Sequence, residues 1–446
     1  MAAGDGAPAA SPASTALTAM PPHHPGEHAH MSHFATLSRR LLVIGAAVGL
    51  GLTLLPAAPA AAATPRIPGS FFGMHNGDTG SYPTAPVGAV RLWDSGVSWR
   101  EIETAPGHYD FTRVDARVNA ARAHGAAVLL VLGQTPQFHS TKPGAPGWYG
   151  PGAASMPTET SWKNYVYAVV KHFKGRGVDY QVWNEANVPG YWHGTAQQMA
   201  TLTRLASTIV NRNDSSAKVV SPAMAVRLPS QRSWLRAFFA QKTGGKKVAT
   251  YLDVVSLNLY PLASQKPEAS MTLLATTRSI LRAAGVQKPI WNTEINYGLL
   301  GGGNARTVSA QTQAAYVGRT YLLNAATDVK RVYWYSWNLQ ALANTSLTSA
   351  DGVTLTGAGT AYTVVRSWLL GSRINSCPRD RHGTYTCTMT YSGGVKRVYW
   401  NPSRPTTVRA VTSARATVNL LGSPRVLRGG ERIAVTASPV MVRSAR

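Results

Sequence analysis

From Phe71 to about Leu370 the chain repeats one unit: a short apolar or β-branched run ending in polar residues, followed by an amphipathic helical pattern. Eight such runs lie near Phe71–Met74, Ala89–Leu92, Ala127–Leu132, Tyr180–Trp183, Val219–Ser221, Val254–Leu257, Pro289–Trp291 and Val332–Tyr335. Between them Trp162, Val166, Val169, Val170 and Phe173 fall on one helix face. Further helical patterns lie near Val114–His124, Thr195–Asn211, Glu268–Ala284, Ala310–Ala326 and Ala361–Leu370. Strands alternating with helices demand a parallel sheet, because each crossover returns the chain to the same edge. Eight units over roughly 300 residues predict a (β/α)8 barrel, whose usual size is about 250. A doubly wound open sheet is the alternative, but Phe72-Gly73-Met74-His75-Asn76 offers no Gly-rich phosphate loop after the first strand.

After Leu370 the period changes from helical to alternating. Short strands are predicted at Thr384–Tyr391, Val395–Trp400, Thr406–Val411, Ala416–Leu420, Arg432–Ala437 and Val440–Val442. Turn signals such as Ser392-Gly393-Gly394, Asn401-Pro402 and Gly429-Gly430 separate them. The expected organisation is therefore a leader over 1–64, a catalytic-sized barrel over 65–371 and a small antiparallel β-sandwich over 372–446. The only two cysteines, Cys377 and Cys387, exclude a disulfide scaffold or a Cys-rich metal centre. They are spaced to close a ten-residue hairpin in the sandwich.

Residues 1–30 are rich in Ala, Pro, Gly, Ser and His without apolar period, and Met31 is a plausible initiator. Ser38-Arg39-Arg40, the apolar run Leu41–Leu55 and Ala60–Ala63 read as a secretory signal peptide. The run is short of the roughly 20 apolar residues a membrane span needs, so no stable span is expected after cleavage. The paired arginines point to the twin-arginine route and to a secreted or wall-associated protein. Residues 65–446 keep 42 Lys and Arg against 17 Asp and Glu, so the net charge of +25 belongs to the working protein. No long Lys/Arg run or nucleic-acid motif is present, and an anionic cell-surface polymer fits an exported chain better than nucleic acid.

Barrel chemistry sits at the C-terminal ends of the strands. The fourth strand is followed by Trp183-Asn184-Glu185 and the seventh by Trp291-Asn292-Thr293-Glu294. Strands four and seven face each other across a barrel, so Glu185 and Glu294 are expected to converge on its axis. Paired carboxylates are what cleavage of a glycosidic bond needs: one protonates the leaving oxygen, the other attacks the anomeric carbon or activates water. No His-Glu-x-x-His run, Gly-x-Ser-x-Gly elbow or Walker loop appears, and the 12 His lack metal-ligand spacing, so neither metal nor cofactor is expected.

On these residues the chain resembles the clan A glycoside hydrolases, the retaining four-seven barrels, and is most similar to family 39-like enzymes. Asn184-Glu185 resembles their acid/base motif, and Glu294 their nucleophile. Leu132-Gly133-Gln134-Thr135-Pro136 resembles the family's Gly-x-Thr-Pro step. The resemblance implies that Arg91 and Tyr260 attend the nucleophile and that Asn184 binds the sugar 2-hydroxyl. It implies further that Trp337 serves as a sugar platform and that His75, Trp93 and Asp94 line the subsite of the non-reducing sugar. Tyr191-Trp192-His193 would form a wall on the leaving-group side. The chain departs from the clan in carrying Asn258 where His is common. The function implied is a secreted retaining glycosidase acting on a polysaccharide or oligosaccharide. A transglycosylase on the same residues, or a carbohydrate-binding protein on a barrel without activity, are the alternatives.

Overall fold

The computed structural model describes residues 65–75, 82–298, 306–337 and 344–444. The expected signal peptide and its arginines lie outside these residues. Eight parallel strands form the central sheet: β1 Phe72–His75, β2 Ala89–Leu92, β3 Ala127–Leu132, β4 Val178–Val182, β5 Val219–Val220, β6 Val255–Asn258, β7 Ile290–Ile295 and β8 Arg331–Trp334. Hydrogen bonding runs in the order β6-β7-β8-β1-β2-β3-β4-β5. Parallel bridges Val220↔Val254 and Ala225↔Asn258 join β5 to the β6 side and close the barrel.

Seven helices of three turns or more surround it: α1 Thr112–Ala123, α2 Glu159–Phe173, α3 Ala196–Asn213, α4 Pro229–Ala240, α5 Pro267–Ala283, α6 Ala310–Ala326 and α7 Gly357–Leu369. The sequence signals explain where they start. Thr158, Thr195, Ser309 and Thr356 each accept a backbone N–H of the first turn, satisfying a donor the helix cannot use internally. α2 buries Trp162, Tyr165, Val166, Val169, Val170 and Phe173, the face its spacing defined.

Three departures from the expected pattern stand out. Helix α4, absent from the expected patterns, begins on Pro229 and buries Leu235, Phe238 and Phe239 at helical spacing. No helix lies between β1 and β2 among the described residues. Strand β7 also runs four residues beyond the expected Trp291, because Asn292, Thr293 and Glu294 are polar but face the closed interior and neighbouring helices.

Inside the barrel, Ala89, Leu129, Val220, Val254, Trp291 and Tyr333 pack into a separate apolar layer. Below it Arg331 pairs with Asp179 at 3.1 Å and lies 4.0 Å over the Trp291 ring. Above it the interior turns polar.

The C-terminal part forms an antiparallel sandwich. Its strands are β9 Arg373–Ser376, β10 Tyr385–Tyr391, β11 Gly394–Trp400, β12 Thr406–Arg409, β13 Ala414–Val418, β14 Pro424–Val426, β15 Arg432–Val435 and β16 Val440–Ser444. Six of them pair in the order β9-β10-β11-β16-β13-β14, and β12 pairs with β15 to cover one face. The short strands β9 and β14 were not expected from sequence, since both are edge segments with exposed polar residues. Cys377 and Cys387 form a disulfide. The sandwich is tied to the barrel by Trp400 Nε1 to Glu268 at 3.1 Å and Lys396 Nζ to Trp368 O at 3.0 Å. Leu420 also packs so closely on Gly318 of α6 that a Cβ there would lie 2.8 Å away.

Candidate active site

The site is built on the last residues of the strands. Among the described residues, four of the five non-glycine residues at positive φ sit here: Asp94, Gln134, Trp183 and Glu185. Left-handed backbone costs energy in such residues and persists where surrounding contacts enforce it. Around Trp183 those contacts are visible. Its N–H donates to Leu132 O at 2.7 Å, its carbonyl accepts Ala223 N at 3.2 Å, and its indole donates to Tyr191 O at 2.8 Å. Asn184 and Glu185 are thereby fixed at the mouth of β4.

Glu294 owes its direction to a register irregularity. β7 slips against β6 between Leu257 and Asn258 and against β8 between Asn292 and Ile295. A regular strand alternates its side chains across the sheet. The slip lets the consecutive Thr293 and Glu294 both reach the interior network.

Arg91, fully buried on β2, organises that network. Nη1 donates to Glu294 Oε1 at 2.5 Å, Nη2 to Asn184 Oδ1 at 2.7 Å and Nε to Gln181 Oε1 at 2.7 Å. His75 Nε2 lies 3.1 Å from Nη1 and 3.0 Å from Thr293 O. Burial and the Arg91 charge hold the His75 imidazole well below its ordinary pKa, so it is neutral. Tyr260 Oη donates to the other oxygen, Glu294 Oε2, at 3.3 Å.

Glu185 is placed differently. Its protein partner is an amide, Asn258 Nδ2, which donates to Oε1 at 3.0 Å. Asn258 Oδ1 accepts Thr293 Oγ1 at 2.8 Å, Thr293 Oγ1 meets Ser256 Oγ at 2.5 Å, and Gln181 Nε2 donates to Ser256 Oγ at 2.5 Å. A continuous polar chain therefore links the surroundings of the two glutamates through the barrel interior. Burial raises both carboxyls above the ordinary carboxylate range. The Glu185 charge pushes Glu294 further up, and Arg91 pulls it down. Asn258 and Arg227 pull Glu185 down.

A second cluster closes one side. Asp94 accepts the hydroxyl of Tyr335 at 3.0 Å and that of Tyr149 on its other oxygen. Trp93 packs edge-on against Tyr149 at 5.4 Å and Tyr191 at 6.1 Å. Its Nε1 is buried with no hydrogen-bond partner among the described residues. Trp337 is buried, with its indole donating to Gly352 O at 3.0 Å and its backbone N–H to His75 O at 2.9 Å.

The structure thus brings Glu185, Glu294, Asn184, Arg91, Tyr260 and His75 into one network, with Trp93 and Asp94 beside it and Trp337 behind His75. Several participants carried no sequence signal. Gln181, Ser256 and Thr293 are inward strand residues that periodicity alone reads as ordinary. Tyr149 and Trp148 lie midway along the loop after β3, and only tertiary folding delivers them. Trp148 stacks edge-on to Tyr191 at 4.6 Å with 66% of its surface exposed, and Gly190 lacks the Cβ that its ring would strike. Arg227, after β5, is exposed and lies near enough to Glu185 to act on its charge. Among the described residues no group of three or more His, Cys, Asp or Glu is placed to hold a metal, and no helix is long and apolar enough to cross a membrane.

The chain as a whole is similar to known proteins. Residues 159–362 match the family described as the glycosyl hydrolase catalytic core. Among solved structures, a family 39 glycoside hydrolase from Bacteroides cellulosilyticus superposes with TM-score 0.61 at 18% identity, covering 81% of this chain and 76% of its own. A family 39 enzyme from Xanthomonas axonopodis pv. citri gives 0.58 at 15% identity, covering 85% and 95%. A family 30 endoxylanase from Clostridium papyrosolvens gives 0.58 at 13% identity, covering 86% and 98%. At these identities the structural likeness is one of fold, a barrel followed by a β-sandwich. No curated protein sequence matches the chain. The chain is a glycosidase. It resembles the clan A glycoside hydrolases, with family 39 among its structural neighbours.

Proposed function

We propose that the chain is a retaining glycosidase of a polysaccharide or oligosaccharide, with Glu294 as nucleophile and Glu185 as general acid/base. The observation that carries this reading is the unequal setting of two carboxyls, Glu294 buried and Glu185 partly buried. Interacting carboxyls release their protons in two steps, so the pair keeps one proton where an isolated carboxyl is empty. The Arg91 guanidinium hydrogen-bonds Glu294, whereas Glu185 has only an amide, so the shared proton rests on Glu185. Glu294 is then an anion held in place by Arg91 and Tyr260, and Glu185 is an acid.

In the first step the Glu294 carboxylate attacks the anomeric carbon as Glu185 gives its proton to the leaving oxygen. In the second, Glu185 takes a proton from water, whose oxygen displaces Glu294. Asn184, fixed by Arg91, is aimed to bond the sugar beside the anomeric carbon. Trp148 and the free Trp93 N–H give an aromatic face and a donor for sugar rings and hydroxyls.

Glu294→Gln keeps the volume and removes the nucleophile, so turnover should collapse. Glu185→Ala should lower turnover by roughly 10²–10⁴-fold. Its loss should shrink for substrates with good leaving groups, and azide should restore it as a glycosyl azide of retained configuration. Retained-configuration rescue of Glu294→Gln instead would exchange the two roles, and full activity of both variants would move the site elsewhere.

The same reading includes export. Arg39-Arg40 before the apolar run supports twin-arginine transport with cleavage near Ala63, giving a secreted or wall-associated enzyme. Replacing both arginines with lysine should leave precursor inside the cell, and normal secretion of that variant would remove the route.

A further inference from the structure

The positive charge is unevenly shared. Residues 65–371 carry 29 Lys and Arg against 15 Asp and Glu, whereas residues 372–446 carry 12 Arg and one Lys against two acids. Fifteen acids spread over the barrel leave it moderately basic; the sandwich is close to an arginine-only module. Arginine and lysine are equal in charge, but only the guanidinium fork pairs with a carboxylate or sulfate through two parallel bonds.

The arginines are concentrated around one turn. Arg409 ends β12 and Arg432 opens β15, and the two are direct partners in the antiparallel register. On the inner face of that pair Ile433 and Val435 are buried, so alternation puts Arg409 and Arg432 together on the outer face. Like charges opposite each other on a strand pair are destabilising. Their protein contacts are neutral and long: Arg409 Nη1 to Gly430 O at 3.5 Å and Arg432 Nη1 to Thr407 Oγ1 at 3.2 Å. β14 adds exposed Arg425, the turn after it exposed Arg428, and Arg415 joins from β13, its carbonyl accepting Leu427 N at 2.9 Å. Five exposed arginines thus surround a single carboxylate, Glu431. That carboxylate is already engaged by Arg425 and by the Arg428 N–H. The sandwich's other acid, Asp380, is spent on the N–H groups of His382 and Thr384 in its own turn.

We propose that this face of the sandwich is a binding site for an acidic polysaccharide, read through the oxyanions of its carboxylate or sulfate groups. The charge that would neutralise the patch is not supplied by the chain. Among the described residues no aromatic side chain of the sandwich is exposed, which removes the stacking platforms single-stranded nucleic acid uses and the aromatic anchors of a membrane-surface element. A repeating anionic glycan needs neither. Such a site would hold the enzyme on its polymer while the barrel mouth turns over individual linkages. The proposal does not depend on the roles given to Glu185 and Glu294.

The test uses the full chain and its binding to polygalacturonate and to dextran sulfate, with neutral dextran as control. Binding to at least one acidic polymer and not to dextran is expected, weakening steeply as salt rises beyond about 0.1 M, where charges are screened beyond about 10 Å. Preference between the two polymers tells a carboxylate site from a sulfate site. Arg409→Ala with Arg432→Ala should weaken binding roughly tenfold while relieving the like-charge pairing, so the melting temperature should hold or rise. Arg409→Lys with Arg432→Lys keeps the charge and loses the forks, and should fall between. Arg415→Ala with Arg428→Ala provides an independent pair outside the β12–β15 ladder. All should leave hydrolysis of a small neutral aryl glycoside unchanged, and Glu294→Gln should bind the polymer as the native chain does. Equal binding by the native chain and both alanine pairs would overturn the site. Tighter binding to phosphatidylglycerol vesicles or to DNA than to either polymer would overturn the glycan as its partner.

Discussion

Along the inside of one barrel, Ala89, Leu129, Val220, Val254, Trp291 and Tyr333 fill a lower apolar layer. Two residues beyond Ala89, Val254 and Trp291 stand Arg91, Ser256 and Thr293, with Gln181 of β4 bonded among them, every one buried. The lower layer is held by packing, which is non-directional and tolerates exchange of one apolar residue for another of like volume. The upper layer is held by directional bonds among groups that are costly to leave unpaired. Each polar group there has a geometry dictated by the others, and that geometry presents two glutamates in unequal settings. One strand therefore serves stability at its start and chemistry at its end.

Arg91 offers the strongest way to break this division. Replacing it with Met keeps much of the volume but leaves Glu294 buried without its cation and frees Asn184 and Gln181. We expect kcat/KM to fall by about 10³-fold or more, the scale of losing a preorganised charge at the reacting centre. The pH profile supplies the sign. Arg91 lowers the Glu294 pKa, so its removal raises it, and the limb on which activity grows as Glu294 ionises should move to higher pH. Arg91→Lys should restore much of that limb's position but not the rate, since one ammonium cannot hold Glu294, Asn184 and Gln181 together. In the lower layer, Leu129→Ala should do the opposite. It should cost about 2–5 kcal/mol of stability by leaving a cavity, with kcat near native well below the new melting temperature. A collapse of kcat in that variant at full folding would show that the two layers are not separable.

The lower layer was legible in the sequence and the upper one only in part, for the same physical reason. Apolar runs announce strands because burial of apolar side chains is a property each residue carries alone. β3, Ala127–Leu132, reads directly. β7 was cut short at Trp291 because the continuation, Asn292-Thr293-Glu294-Ile295, satisfies its polar side chains with partners from β2, β6 and α6 that no local window contains. Glu185 and Glu294 could be picked out because they follow strands in a fold whose strand ends carry the chemistry, whereas Arg91 and Tyr260 were named only through the family resemblance. Asn258, the partner of Glu185, drew attention only as a departure from a resemblance. Tyr149, which bonds Asp94, and exposed Trp148 were not legible, since a loop's path over the mouth is set by tertiary contacts such as Thr135 N to Ala153 O at 3.1 Å. In the sandwich, the edge strand Pro424–Val426 was missed because its exposed Arg and Val break the alternation expected of a half-buried strand.

The smallest expected effect bears on the side of the mouth where polar pairing is incomplete. Trp93 is buried at 3% exposure, yet its indole N–H has no acceptor among the described residues. An unmade hydrogen bond of this kind costs stability, by about 1–3 kcal/mol for a buried donor, unless another molecule supplies the acceptor. If a sugar hydroxyl does so, Trp93→Phe removes a contact with substrate and relieves the free protein of an unpaired donor. KM should then rise about three- to tenfold with kcat within twofold, while the melting temperature holds or increases despite the smaller ring. A purely packing role gives the reverse pattern: a lower melting temperature from the lost volume against Tyr149 and Tyr191, and an unchanged KM. The two measurements together decide whether the polar order of the barrel mouth ends at Asp94 or is completed by substrate.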